Sequence, residues 1–427
     1  MNKIKTIFQE LRQKSLVRDS FWMLLSQGFS IIFQTFYFIL LARSLGAQEY
    51  GAFVGALSLA NIVTPFSGWG GSHIIFKYVS KDRNLINVYL GNAIVLIAAS
   101  APLLTILALL FSPIIFSGKL PLIVVLCTFL ADLVGLKLIE ASTASLMSTD
   151  AAKYAALIGI LLHASKFSAA LIFSSLFPDN GVITWALLYC GASLLVASIA
   201  VSLVISRLGF PKFQLKRLKR DLLDGFYFSI SGFSDGINGS LDQTMLASIS
   251  TLKAAGVYNA AARFIGMGMV FMISFAGASY SKFFQHGAAG INGSWNFAKK
   301  LLPLAFAYGI FIFLVFIFAA PFIPYVLGES VEEALPILRC FAPLILMMAL
   351  SYLASDSLTG AGFQGIRSSI QVSSALLNFF LNLWLIPQYS VYGAVWATLA
   401  TELAKLIGLY TTVFILKRRQ LARNGGA

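Results

Sequence analysis

The chain has 427 residues, of which 58% are hydrophobic and only 11% charged, with 31 Lys and Arg against 17 Asp and Glu. A soluble domain cannot hide that much apolar surface, so the composition excludes a globular cytosolic enzyme and leaves an all-α polytopic membrane protein. The formal charge of +14 does not signal nucleic acid, because the basic residues cluster between apolar runs, as positive-inside topology requires.

A hydrocarbon core of ~30 Å needs about 20 apolar residues per helix. That window predicts twelve spans, at 20–43, 50–76, 85–112, 121–147, 152–177 and 181–206, then 225–250, 254–281, 299–323, 335–360, 368–387 and 391–416. The first apolar run follows about twenty polar and basic residues and is itself long enough to span, so it reads as a helix and not as a signal peptide. Lys3, Lys5, Arg12, Lys14 and Arg18 precede it; Lys77, Lys81 and Arg83 follow the second span, and Lys153 follows the fourth. The central connector carries Arg207, Lys212, Lys216, Arg217, Lys219 and Arg220. Lys282, Lys299 and Lys300 follow the eighth span, Arg367 the tenth, and Lys417, Arg418, Arg419 and Arg423 the last. The opposite loops hold only Arg43, Lys119 and Lys253, and one of them is acidic, with Glu329, Glu332 and Glu333. This asymmetry places both termini in the cytoplasm.

Sliding the chain by 205 residues sets Phe213-Gln214 on Phe8-Gln9, Asp224 on Asp19, Leu246-Ala247 on Leu41-Ala42 and Gly256 on Gly51. The offset is near half the chain length and needs no gap, so it reads as a second, parallel half. The expected organisation is an N-terminal lobe over 1–206, a basic connector over 207–224 and a C-terminal lobe over 225–427. Neither the connector nor the 282–299 stretch is long enough for a catalytic domain, so chemistry has to occur between helices. Both could lie on an anionic leaflet or simply hold the topology. Cys127, Cys190 and Cys340 lie apart in apolar runs without metal or redox spacing, and no metal or cofactor site is legible.

Ionisable groups at membrane depth are costly and need a partner, a wet cavity or a function. The basic ones are Lys137, Lys166, Arg263, Arg339 and Lys405; the acidic ones are Asp132, Glu140, Asp235, Asp242, Asp356 and Glu402. Asp235 and Asp242 are seven apart, about 20° around a helix, with Ser231 and Asn238 on the same stripe. The stripe could line a central cavity in which one Asp binds a proton or cation. Against that reading, Asp242 and Arg263 reach similar depth on adjacent antiparallel spans and could form a fixed ion pair. His163 and Lys166 are three apart on one face of the fifth span, Asp132 and Lys137 lie on the fourth with Glu140 one turn beyond, and Glu402 and Lys405 are three apart on the twelfth and could satisfy each other locally. For these groups pairing between helices competes with an anion-receiving role. Pro65, Gly68, Gly70 and Gly71 in the second span, and Pro336 and Pro343 in the tenth, predict helix breaks or kinks.

ILLARSLGAQEYGAF at the end of the first span and LDQTMLASISTLKAAGVYNAAARF after the connector resemble polysaccharide flippases of the O-antigen type. That family lies within the multidrug/oligosaccharidyl-lipid/polysaccharide (MOP) exporter superfamily. The segment NFFLNLWLIPQYSVYGAVWATLATELAK resembles its LxLIPxxGxxGAAxAT signature: Leu385, Ile386, Pro387, Gly393, Ala394, Ala397 and Thr398 keep the pattern, while Ser390 stands where glycine is usual. The resemblance implies two six-helix lobes around a central cavity, and a polyprenyl-diphosphate-linked oligosaccharide moved from the cytoplasmic to the periplasmic leaflet of a bacterial inner membrane. It carries roles to Asp242, Arg263 and Lys77, and implies membrane lipids, a polysaccharide polymerase and a chain-length regulator as candidate partners. The hypothesis is that Lys137, Lys166 and Arg263 receive the head group while Asp235 or Asp242 couples an ion. The membrane-depth charge is balanced, so the sign of the cavity stays open.

Two other readings compete. An ion-coupled drug or metabolite exporter often has an acid in the first helix, and Phe21 to Ala42 has none. A membrane-embedded polymerase or glycosyltransferase needs an acidic metal pair or a large outward loop, and neither is present.

Overall fold

Inside a bilayer no water is available to backbone N–H and C=O groups, so each spanning segment has to satisfy its own. The computed structural model describes residues 2–79, 82–149, 151–177, 181–319 and 333–425. The side chains of 2–20, 231, 235, 238, 277, 278, 281, 319 and 421–425 lie outside that description. Among the described residues every regular element is a helix. Contacts divide the chain into two compact units, 1–244 and 245–427.

The first unit opens with a helix over Asn2–Val63 that is kinked at Gly46, where φ is 65°. We label its two parts α1 (2–45) and α2 (47–63). A 3-10 turn, Thr64–Phe66, then breaks the second predicted span, and α3 resumes at Gly71–Val79. Gly68, Trp69 and Gly70 all have positive φ, so the backbone reverses out of the helix where the proline and glycines predict it. The rest is α4 (Ile86–Ile115), α5 (122–147), α6 (Ala152–Leu176), α7 (Gly181–Leu208) and α8 (Leu215–Ile249), which runs into the second unit. The middle of α5, Leu130–Leu136, is π-helical. That widening turns Asp132 and Lys137 away from the register of a regular helix, and nothing in the local sequence announces it.

Aromatic rings fill one end of this unit. Trp185 is fully buried and stands within 6.0 Å of the ring centres of Tyr37, Phe53, Phe173 and Tyr189. The basic end is packed by Ile75, Leu90, Ile139, Leu146, Val196 and Val204. Large side chains such as Leu103, Leu110 and Ile114 point outward; in lipid this carries no penalty, because the solvent is as apolar as the core. The connector is clamped to α4. Lys212 N–H donates to the Asn87 carbonyl at 2.7 Å, and the Asn92 amide exchanges two hydrogen bonds with the backbone of Gln214. Gly91 permits that contact, since a Cβ there would lie 2.3 Å from the Lys212 carbonyl oxygen.

The second unit contains the end of α8, then α9 (Leu252–Gly287), α10 (Ile291–Ala319), α11 (Ala334–Gly360) and the helix Gln364–Gly425. The last is kinked at Ser390, giving α12 (364–389) and α13 (391–425). Ser390 has φ 51°, a left-handed conformation that costs an L-residue roughly 1 kcal/mol and that glycine adopts freely. The position where the flippase signature has glycine is therefore one whose backbone asks for it. Gly393 is required by proximity: its Cβ would sit 2.3 Å from the Leu385 carbonyl oxygen. Pro336 falls in the first turn of α11, and Pro343 lies inside it without breaking it.

Nine stretches are long and apolar enough to span. Two of them are kinked pairs, and α8 adds one more, so twelve spanning candidates stand among the described residues, as the sequence predicts, with the short α3 completing the broken second one. The 205-residue offset sets Gly46 on Thr251, and Thr251 caps α9 by accepting from Ala254 N–H. Both halves thus break at one frame position. The Pro65–Gly71 break has no copy, because α9 runs unbroken through the matching residues.

Candidate functional site

The break between α2 and α3 opens a cavity of about 320 Å³ in the first unit. Its walls are the broken segment (Pro65, Ser67, Gly68, Gly70), the start of α3 (Ser72, His73, Phe76), α5 (Lys137, Glu140, Thr143) and α8 (Phe228, Gly232). Glycines bring α8 close. A Cβ at Gly225 would lie 2.3 Å from the Trp69 carbonyl oxygen, and Gly232 and Gly236 are similarly tight against Pro65 and Asn61. Trp69 Nε1 donates to the Leu222 carbonyl at 3.1 Å, and its ring stacks on Phe226.

Lys137 and Glu140, one turn apart on α5, form an ion pair at 2.7 Å on the cavity wall. The lysine is the more buried partner, with 16% of its side chain exposed against 38% for the glutamate. His73 stacks face to face with Phe228, ring centres 5.0 Å apart. Ser67 is spent on structure, donating to the Leu133 carbonyl across to α5.

Behind this wall lies a buried network. Asp132 is 2% exposed. It accepts from the Tyr189 hydroxyl at 3.0 Å, and that hydroxyl accepts from Lys166 Nζ at 2.9 Å. The Lys166 ammonium also stands 4.2 Å over the Tyr189 ring. A phenol thus joins an acid and a base that could not otherwise be left in an apolar medium. The links of these groups run between helices. Asp132 engages α7 instead of Lys137, and His163 parts from Lys166 to face Gln34 on α1, whose amide nitrogen is 3.2 Å from the imidazole Nε2.

At the basic end, Lys77 pairs with Asp224 at 2.5 Å, and Tyr78 donates to the same carboxylate at 2.9 Å. The hydrogen bond to Asp224 raises the Lys77 pKa above that of an ordinary lysine, and the bonds from Lys77 and Tyr78 hold Asp224 below the usual carboxylate range. Beside them Tyr89 donates to Asp221 at 3.0 Å, and Arg220 pairs with Asp221 at 2.8 Å. Lys77, expected in a substrate cavity, is thus half-exposed in a salt bridge that ties α3 to α8.

In the second unit Arg263 Nε donates to Asn259 Oδ1 at 3.2 Å, and Glu402 and Lys405 pair at 2.5 Å, as their spacing predicts. Asp356 meets Arg367 at 3.5 Å. Two motifs of the resemblance converge here: Tyr258, between Gly256 and Arg263, is 3.1 Å from the Thr398 hydroxyl, and Ser250 is 2.6 Å from Ser390. Asp242 is half-buried on α8 with interaction partners of its own, as Arg263 has. The side chains of Asp235 and Asn238 lie outside the described residues.

Sequence reasoning missed Gln34, His73, Tyr189 and Phe228. Their partners are 129, 155, 57 and 155 positions away, and no local pattern marks such contacts. Among the described residues no group of three or more His, Cys, Asp or Glu side chains could hold a metal.

Residues 16–285 match the family described as "Polysaccharide biosynthesis protein". Two uncharacterized membrane proteins of Methanocaldococcus jannaschii are similar along their length. One is 25% identical over 435 residues, covering 94% of this chain and 99% of the relative; the other is 21% identical, covering 90% and 80%. The structure is similar to the lipid II flippase MurJ in an inward closed conformation, with TM-score 0.73 and 16% identity over 92% of this chain and 87% of that one. It is also similar to an inward-facing multidrug resistance MATE transporter of the MOP superfamily, with TM-score 0.70 and 15% identity over 93% and 99%. At such identities these two likenesses speak for the fold.

Proposed function

The chain belongs to the polysaccharide biosynthesis protein family, and from that premise we propose that it is a flippase carrying a polyprenyl-diphosphate-linked oligosaccharide between leaflets by alternating access. The observation that carries the reading is the cavity of the first unit, which holds Lys137, Glu140, His73 and Thr143 in helices that otherwise expose Leu, Ile and Phe. Polyprenyl tails can stay in hydrocarbon while the head crosses, so the protein has only to supply a hydrated, hydrogen-bonding path for sugars and phosphate. It does so by binding and release, without bond chemistry. The cations proposed to meet the head group carry internal counterparts: Lys137 has Glu140, and Lys166 has Tyr189 and Asp132. Such counterparts keep the cations from standing bare in the membrane while a hydroxyl-rich head group passes.

Asp235 and Asp242, with Asn238 on the same stripe, are the proposed ion-coupling groups. The positive-inside count favours cytoplasmic termini, and the resemblance to O-antigen flippases suggests a bacterial inner membrane, with a polymerase and chain-length regulator acting on the exported product. In proteoliposomes carrying undecaprenyl-diphosphate-linked N-acetylglucosamine, the protein should equilibrate the probe between leaflets faster than empty vesicles do, read by its accessibility to an added glycosyltransferase. No acceleration overturns the flippase reading. Asp235→Asn should abolish ion-driven accumulation with normal membrane levels; full activity in that variant removes the coupling role of Asp235.

A further inference from the structure

The Lys137–Glu140 cavity has a composition that distinguishes between the two parts of the head group, and its role as a subsite rests on the flippase reading. Among the described residues lining it, the Lys, Arg, Asp and Glu side chains are Lys137 and Glu140, and these cancel at 2.7 Å through Glu140 Oε2. A diphosphate brought there would meet one ammonium already neutralised and a carboxylate that repels it. The cavity is therefore a poor anion site.

It is well furnished for a neutral polyol. Glu140 Oε1 has no hydrogen-bond partner among the described residues, and neither has the His73 imidazole, whose ring is exposed. Each can bond a hydroxyl, and Lys137 has N–H donors beyond the one held by Glu140. A carboxylate and an ammonium held side by side match a pair of adjacent hydroxyls, one donating and one accepting. On the same cavity the Phe228 ring, backed by His73, and the half-exposed Phe76 give apolar surface for the C–H face of a pyranose. The Thr143 hydroxyl donates to its own helix at the Ile139 and Glu140 carbonyls and keeps lone pairs for a further N–H or O–H. The volume of about 320 Å³ is at the small end of ligand pockets, which span roughly 300–1,000 Å³, so it accommodates a single ring and not an extended oligosaccharide.

We propose that this cavity is a saccharide subsite that takes one neutral hexose or N-acetylhexosamine ring of the lipid-linked substrate, through Glu140 and Lys137 over the Phe228 face that His73 backs, and that the diphosphate binds elsewhere. The subsite makes the protein selective for glycosylated carrier over bare carrier, which a flippase needs if it is not to waste cycles on the unloaded lipid.

The test compares two probes on the purified full-length protein in nanodiscs: undecaprenyl diphosphate, and undecaprenyl-diphosphate-linked N-acetylglucosamine. The sugar-bearing probe should bind more tightly to wild type. Glu140→Gln should weaken that probe by roughly tenfold, the loss expected when a hydrogen bond to a charged group goes, and leave the bare diphosphate within about twofold. Phe228→Leu, which keeps Glu140 intact, should also weaken only the sugar-bearing probe. Equal binding of both probes to wild type overturns the subsite and leaves the flippase reading standing. Tighter binding of the bare diphosphate to Glu140→Gln overturns it too, because the cavity would then be an anion site opposed by its carboxylate. Failure of wild type to bind either probe overturns both.

Discussion

Replacing Gly225 by alanine tests whether the close approach of α8 to the α2–α3 break is a structural requirement. Alanine is worth up to ~1 kcal/mol over glycine inside a helix, so on propensity alone the substitution stabilises. The new Cβ, however, would lie 2.3 Å from the Trp69 carbonyl oxygen, a backbone atom, and 3.0 Å from Ile74 Cδ1. To reach ordinary contact near 3.4 Å, α8 has to retreat by about 1 Å, and overpacking of this kind costs typically 1–3 kcal/mol. The retreat also stretches the 3.1 Å bond from Trp69 Nε1 to the Leu222 carbonyl, worth about 0.5–1.5 kcal/mol. The net expectation is a loss of about 1–3 kcal/mol, or several degrees in Tm at roughly 2–4 °C per kcal/mol for a unit of this size. Gly239→Ala on the same helix is the control, because nothing lies within 4 Å of its Cβ; it should match or exceed wild type. Thermal unfolding in detergent measures both, and Trp69 fluorescence should report greater hydration in Gly225→Ala alone. If Gly225→Ala is as stable as Gly239→Ala, the tight seam between α8 and the break is refuted.

Tyr189→Phe should lower stability by about 1–3 kcal/mol, since Tyr189 is 3% exposed and its hydroxyl serves both Asp132 and Lys166, leaving buried charged groups short of a partner. An unchanged melting temperature would show that Asp132 and Lys166 satisfy each other without the phenol. The Lys77–Asp224 pair has a defined pH window. Asp224 is held below the ordinary carboxylate range, so its contribution is complete above that range and is lost as pH falls through the depressed value; Lys77 is raised, so its share is complete below the ordinary lysine value of 10.5 and is lost only above it. The stability difference between wild type and Asp224→Asn should accordingly be flat from neutral pH down to the carboxylate range and shrink below it. A difference that vanishes near pH 6 would contradict the pairing.

Helix number and position were legible from the sequence because they depend on local quantities. Apolar length sets each span, and the breaks at Gly46 and Pro65–Gly71 follow from backbone preferences carried by single residues. Short-range pairs were legible for the same reason: Lys137 with Glu140 and Lys405 with Glu402 are three apart and meet whatever the rest of the chain does. Even the departure of Ser390 from the glycine of the signature pointed to a real feature, a left-handed residue between two helices. What the sequence left open was which distant side chains share a cavity. The π-helical turn at Leu130–Leu136 rotates Asp132 toward Tyr189, 57 residues on, and His73 finds Phe228 only because Gly225, Gly232 and Gly236 let α8 settle into the break. Hydropathy and spacing act over a few turns, whereas these contacts depend on how helices cross. The frame of the protein is therefore written in local patterns, and the neutral, aromatic-walled character of its cavity was decided by tertiary packing alone.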